Sequence, residues 1–129
     1  MTSIKLEHIN ISVKDAQKTA QRLCDLFDWK VRWEGSSMDG QGFTSHVGSD
    51  DFYLAIYAPV SGVEDASISS YGQNGGLNHI GLIVDDLAAM ESCIEAAGYK
   101  PINHADYEPG KRFYFIDDDG IEFELVSYD

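Results

Sequence analysis

Residues 6–15, LEHINISVKD, return later in the chain as residues 77–86, LNHIGLIVDD. His8 aligns with His79, Ile9 with Ile80, Val13 with Val84 and Asp15 with Asp86, at a constant offset of 71. Each copy alternates like a strand, carries a histidine near its start and ends in an acidic residue suited to cap a helix. A repeat of this kind constrains the fold more than any other feature, because whatever one copy builds the other must build too.

The first copy extends into a full module. Residues 4–13 alternate, with Leu6, His8, Asn10 and Ser12 on one face and Ile9, Ile11 and Val13 on the other. Residues 14–27 carry an apolar stripe at helical spacing, Ala16, Ala20, Leu23, Cys24 and Phe27, behind the cap candidate Asp15. Residues 29–34 read as a strand, 35–42 as a polar loop, and 43–47 with 52–58 as a hairpin through 48–51. The second copy keeps this order: a strand over 77–84 and a helix over 85–97 stopped by Gly98, with Leu87, Met90, Cys93, Ile94 and Ala97 on its apolar face. A short strand over 99–103, a loop over 104–110, and a hairpin of 112–116 and 121–127 around Asp-Asp-Asp-Gly complete it. Residues 59–76 are rich in Gly, Ser and acidic residues and read as a linker. The expectation is an α+β chain of one domain over 1–129, made of two βαβββ modules, 4–58 and 77–127. Their helices cover the outside, and the other sheet faces form a cup.

Later segments repeat at smaller offsets. Trp29-Lys30 matches Tyr99-Lys100, and 51–57 matches 120–126 at an offset of 69. Strand alternation then places His8, Asn10, Tyr53, Ala55, Tyr57, His79, Arg112, Tyr114, Glu122 and Glu124 on the faces turned from the helices. By the same matching His46 aligns with Phe115 and faces the helix. His8 and His79 at equivalent positions, with Glu124 on the last strand, form a set that suits a divalent transition metal with open coordination positions. Glu122 is the alternate carboxylate. Arg112 suits a carboxylate or phosphonate of a substrate, Tyr114 a metal-bound oxygen, and Tyr57 and Trp33 an aromatic ring.

Composition narrows the partners. Of 129 residues, 9 are Lys or Arg and 22 Asp or Glu, a net charge of −13, which excludes the basic footprint of a nucleic-acid binder. No apolar run is long enough to span a membrane, and the N-terminus lacks the pattern of a secretion signal. A cytoplasmic protein is expected. The two cysteines, Cys24 and Cys93, fall on helix stripes and read as small core residues.

The paired modules, with their LxHIxLxVxD starts, resemble the vicinal oxygen chelate superfamily. It includes glyoxalase I, bleomycin-resistance proteins, fosfomycin-resistance thiol transferases and extradiol dioxygenases. The ending Phe113-Tyr-Phe-Ile-Asp-Asp-Asp-Gly-Ile-Glu-Phe-Glu124-Leu is similar to that superfamily's closing hairpin, with Asp118 in place of its proline. The resemblance implies metal ligands at His8, His79 and Glu124. The fourth ligand, a glutamate in glyoxalase I, falls on Ala55. That speaks against lactoylglutathione lyase activity and leaves the two-histidine, one-carboxylate set of dioxygenases and fosfomycin-type enzymes, binding one Fe, Mn, Ni or Zn ion. The fosfomycin-type potassium loop has no serine here, so that chemistry is not supported. The resemblance further implies a homodimer acting on a small molecule. The alternative it offers is a bleomycin-resistance type of protein that sequesters a cationic ligand without chemistry.

Overall fold

The structure, a computed structural model, describes residues 2–107 and 110–129, with Tyr107 described by its backbone alone. It divides into two compact units, Met1–Asp65 and Ala66–Asp129. The first holds β1 (His8–Ser12), α1 (Ala16–Phe27), β2 (Lys30–Ser36), β3 (Gly42–Gly48) and β4 (Tyr53–Pro59). The second opens with a 3-10 turn, Ser70–Gly72, followed by β5 (Ile80–Ile83), α2 (Leu87–Ala96), β6 (Ile102–Tyr107), β7 (Gly110–Ile116) and β8 (Glu122–Ser127). The strand orders are β1-β4-β3-β2 and β5-β8-β7-β6, with β1–β4 and β5–β8 parallel and the remaining pairs antiparallel. Each unit is therefore one βαβββ module with its own mixed sheet, as the repeat predicts.

Capping explains where the helices begin and end. The Asp15 carboxylate accepts from the Lys18 backbone N–H at 3.1 Å, and Asp86 does the same for Ala89 at 3.0 Å. Gly98, at φ 96°, closes α2: its N–H donates to Glu95 and the Tyr99 N–H donates to Ile94. Ala16, Thr19, Ala20 and Leu23 of α1 are buried against the sheet, where Ser45, Val47, Leu54 and Ile56 are fully enclosed. In the second unit α2 packs on β8, and Ile94, Phe113, Phe115, Phe123 and Leu125 have no exposed surface.

Four expectations need correction. Cys93 is exposed, because α2 buries little beyond Ile94; Cys24 is half-buried, and both thiols are free. The strand expected to stop at 103 continues to Tyr107. Asn103 takes up φ 54° in a bulge between Ile102 and Ala105, so pairing with β7 resumes past the kink. His104 therefore stands in β6 rather than in a loop, and the remainder of that expected loop, Glu108 and Pro109, lies outside the described residues. The 3-10 turn falls within the segment expected as a linker, 59–76.

The fourth correction concerns His46. It pairs with Ala55, while Tyr114 pairs with Glu124. His46 therefore corresponds to Tyr114, at an offset of 68, and not to Phe115. The turn between β3 and β4 is one residue shorter than that between β7 and β8, and a one-residue slip exchanges the faces of a strand. His46 stands on the face turned from α1, inside a row of rings that crosses the sheet. His8 stacks on Tyr53 at 4.9 Å, Tyr53 on His46 at 4.5 Å, and Trp33 tilts against His46 at 5.1 Å. The Arg32 guanidinium lies 4.7 Å from the Tyr53 ring centre.

Two outcomes follow. Phe113→Ala empties a fully enclosed site and should cost about 3–5 kcal/mol in urea unfolding. Partial burial, with help from the positive charge of His8 and Arg32, holds the His46 pKa below its ordinary value of 6.5. Below pH 6.5 the unfolded chain then takes up a proton that the folded one refuses, so stability falls until the pH reaches the folded pKa. His46→Phe keeps the ring row and removes this dependence. Urea unfolding at about pH 7.5 and about pH 5.5 should show a smaller loss in that variant than in the parent.

Candidate functional site

The β7–β8 hairpin sets the geometry of the second unit. The Asp117 carboxylate accepts from the backbone N–H groups of Asp119 and Ile121, both at 2.9 Å. Its own N–H donates to the Ile121 carbonyl, and Gly120, at φ 79°, donates back to the Asp117 carbonyl. This turn needs an aspartate at its head and a glycine at its end. It fixes the register Ile116–Glu122, Tyr114–Glu124 and Arg112–Val126. Glu122 and Glu124, two residues apart on one strand, thus share the face turned from α2.

His79 immediately precedes β5, and the parallel pairing of Gly81 with Glu124 brings its ring between those two carboxylates. Nε2 lies 3.0 Å from Glu124 Oε1, and Nδ1 lies 3.5 Å from Glu122 Oε2. The other oxygen of Glu124 accepts from Arg112 Nη1 at 2.7 Å, in a pair whose side chains are 10% and 14% exposed. Tyr114 meets the His79 ring edge-on at 5.3 Å. Of the residues expected at the site, the structure joins His79, Glu124, Arg112 and Tyr114 in one network. Glu122 belongs to it as well, but on the opposite side of the imidazole from Glu124. One ring nitrogen cannot share an ion with both carboxylates. Among the described residues no group of three or more His, Cys, Asp or Glu side chains is set to hold a metal ion.

Tyr71 is the member that sequence reasoning missed. Its hydroxyl donates to Glu122 Oε2 at 2.6 Å and lies 3.3 Å from His79 Nδ1. The bond to Glu122 is the main reason its pKa is pushed up to about 12. The signal was present: Ser69 caps the 3-10 turn by accepting from the Tyr71 N–H at 3.2 Å. A Cβ at Gly76 would also lie 2.1 Å from the Ser70 carbonyl oxygen, so only glycine lets the segment fold back there.

In the first unit His8 lies on β1 opposite Tyr53, and Ala55 takes the place that Glu124 holds in the second. His8 Nδ1 is 2.8 Å from Glu7 Oε1, which also accepts from the Tyr53 hydroxyl at 3.1 Å. The two bonds to His8 and Tyr53 draw the Glu7 carboxyl below its ordinary range. Asn10 is exposed opposite Ala55. Tyr57 is half-buried opposite Thr44, and its ring crosses Gly42, where an added Cβ would lie 2.7 Å away. No helix among the described residues is long and apolar enough to cross a membrane.

Solved structures share this fold along nearly the whole chain. A glyoxylase/bleomycin resistance protein/dioxygenase domain from Frankia sp. EAN1pec is 18% identical, with a TM-score of 0.81 over 98% of each chain. SMU.1112c is 20% identical, with a TM-score of 0.80 over 97% of this chain and 99% of its own. The fosfomycin resistance protein FosX from Listeria monocytogenes, in a complex with Mn(II) and sulfate ion, is 20% identical. Its TM-score is 0.73 over 98% of this chain and 93% of its own. A search of curated proteins finds no match. At such identities the structural likeness establishes the fold, whereas the sequence itself matches a family over residues 5–125. The chain belongs to the Glyoxalase/Bleomycin resistance protein/Dioxygenase superfamily.

Proposed function

We propose that the protein is a divalent-metal-dependent enzyme whose small substrate chelates the ion through neighbouring oxygens. His8, His79 and Glu124 are the ligands in this reading, and Fe, Mn, Ni and Zn are the candidate ions. The observation that carries it is the 3.0 Å approach of His79 Nε2 to Glu124 Oε1. A ring lone pair and a carboxylate oxygen face each other only with a cation between them, a proton or a metal. The same closeness suits two donors of one bound ion. The donor set fits, since two neutral imidazoles and one carboxylate leave positions open for substrate oxygens. A FosX relative of the same fold binds Mn(II), which supports the reading.

Bound there, the ion would act as a Lewis acid on the substrate oxygens. The chain's own groups divide the remaining work. Arg112 holds Glu124 through Oε2, which keeps Oε1 turned to His79. Its charge also suits an anionic substrate group. Tyr114, edge-on to His79, is the hydroxyl proposed to donate to a substrate oxygen. Asn10 and Tyr57, on the corresponding face of the first module, are the proposed further substrate contacts. Ala55 supplies no carboxylate, so the reading excludes the paired-carboxylate proton transfer of glyoxalase I. A homodimer and a cytoplasmic location belong to the same proposal.

Metal analysis by plasma mass spectrometry tests it. Untagged protein should carry about one transition metal per chain, and Glu124→Ala or His79→Ala should lose it. Unchanged metal in the Glu124 variant would remove the site. Absence of metal from the parent protein after reconstitution would overturn the enzyme reading.

A further inference from the structure

We infer that each of the two histidines is held with its proton on Nδ1 by a tyrosine–glutamate pair of its own, leaving Nε2 as the ligating atom. The inference deepens the metal reading above and rests on it. The pairs are Tyr71 with Glu122 around His79, and Glu7 with Tyr53 around His8.

In the second unit the hydrogens available around His79 decide which ring nitrogen donates. An ionised carboxylate only accepts, and a phenol has a single proton. At 2.6 Å that proton of Tyr71 goes to Glu122. The Tyr71 oxygen, 3.3 Å from His79 Nδ1, is left with lone pairs alone, so Nδ1 must be the donor. Glu124 has no hydrogen to give either, so its 3.0 Å approach to Nε2 needs a cation between them. With the metal of the proposed reading there, a ring with hydrogen on Nδ1 would hold it through the Nε2 lone pair. Glu122 is thereby an orienting group and not a ligand.

The first unit reaches the same end by other means. Glu7 has no hydrogen to give, so the 2.8 Å contact with His8 Nδ1 is a donation by the ring. The Tyr53 hydroxyl donates to the same carboxylate oxygen at 3.1 Å, and the Tyr53 ring stacks on His8. Tyr53 and Glu122 occupy the same place in the two modules, at the offset of 69. At that place one module has the tyrosine and takes its glutamate from β1's approach. The other has the glutamate and takes its tyrosine from the 3-10 turn. Simple inheritance from a duplicated sequence would not exchange the two members. Their common feature is the hydrogen-bonding demand they place on Nδ1. Partners of this kind fix tautomer and ring orientation in metal-binding histidines, and their loss commonly weakens metal affinity by about 10–100-fold. All four are positioning residues.

Zn(II) serves as the probe. Its affinity would be measured by competition with a chelating dye for the parent, Tyr71→Phe, Glu7→Ala, Glu122→Ala, Glu122→Gln and Glu124→Ala. The ring protonation of His8 and His79 would be read from long-range 15N–1H couplings in the zinc-loaded proteins. Tyr71 and Glu7 are exposed, so their variants should melt like the parent yet bind zinc about 10-fold or more weakly. Glu122→Gln keeps an oxygen that accepts from Tyr71 and should lose less than Glu122→Ala. The parent should show hydrogen on Nδ1 of both rings. Parental affinity in Tyr71→Phe and Glu7→Ala would overturn the inference and leave the metal reading standing. So would Glu122→Ala abolishing binding while Glu124→Ala retains it, since Glu122 would then be the ligand. A parent protein that takes up no zinc would overturn the metal reading, and the inference with it.

Discussion

Parallel pairing of the first and last strands governs both modules. Hydrogen bonding of β1 to β4, and of β5 to β8, lays the start of the chain repeat beside its end. A histidine at the head of the first strand then stands next to whatever side chains alternate on the last. In the second module these are Glu122 and Glu124, and the ring is bracketed by carboxylates. In the first they are Tyr53 and Ala55: the ring stacks on a phenol face, and the second position offers only a methyl group. One backbone arrangement thus produces a charged site in one module and an aromatic row in the other. The difference rests on side chains at two alternate positions of a single strand.

The sequence revealed the fold because its signals were redundant. Alternation, helical stripes and aspartate caps agreed within each copy, Gly98 stopped the second helix, and the copies agreed with each other. The closing hairpin was readable for the same reason, since Asp117 and Gly120 are each required by the turn they make. His46 was misplaced because strand faces depend on parity, and a turn shorter by one residue reverses parity without disturbing composition. Asn103 looked like the end of a strand, but a bulge absorbed it. Within the site, His79, Glu124, Arg112 and Tyr114 could be read from alternation alone. Tyr71 could not, because its place depends on a fold-back of a loop that has no period. Only Ser69 and Gly76, at the ends of that fold-back, mark it.

Arg112 shows how one residue can serve structure and chemistry. The guanidinium bond to Oε2 of Glu124, at 2.7 Å, occupies one oxygen of the carboxylate. Oε1 is left toward His79 as a single oxygen donor.

In the proposed metal reading, the exchange of partners between the two modules bears on why the histidines need such support at all. An imidazole free to choose its tautomer presents a lone pair on either nitrogen, and a free ring also rotates. Each alternative lowers the fraction of protein ready to bind a cation, and apparent affinity falls with that fraction. A single bond to Nδ1 removes both freedoms, since it selects the tautomer and pins the ring. Glu7 makes that bond to His8 directly, while Tyr53 donates to the same carboxylate oxygen and stacks on the ring. Where the carboxylate stands further off, as Glu122 does at 3.5 Å from His79, a phenol oxygen between the two transmits the same demand. The position of the tyrosine therefore follows from the reach of the glutamate, and the module with the more distant carboxylate is the one that recruits its phenol from the preceding loop.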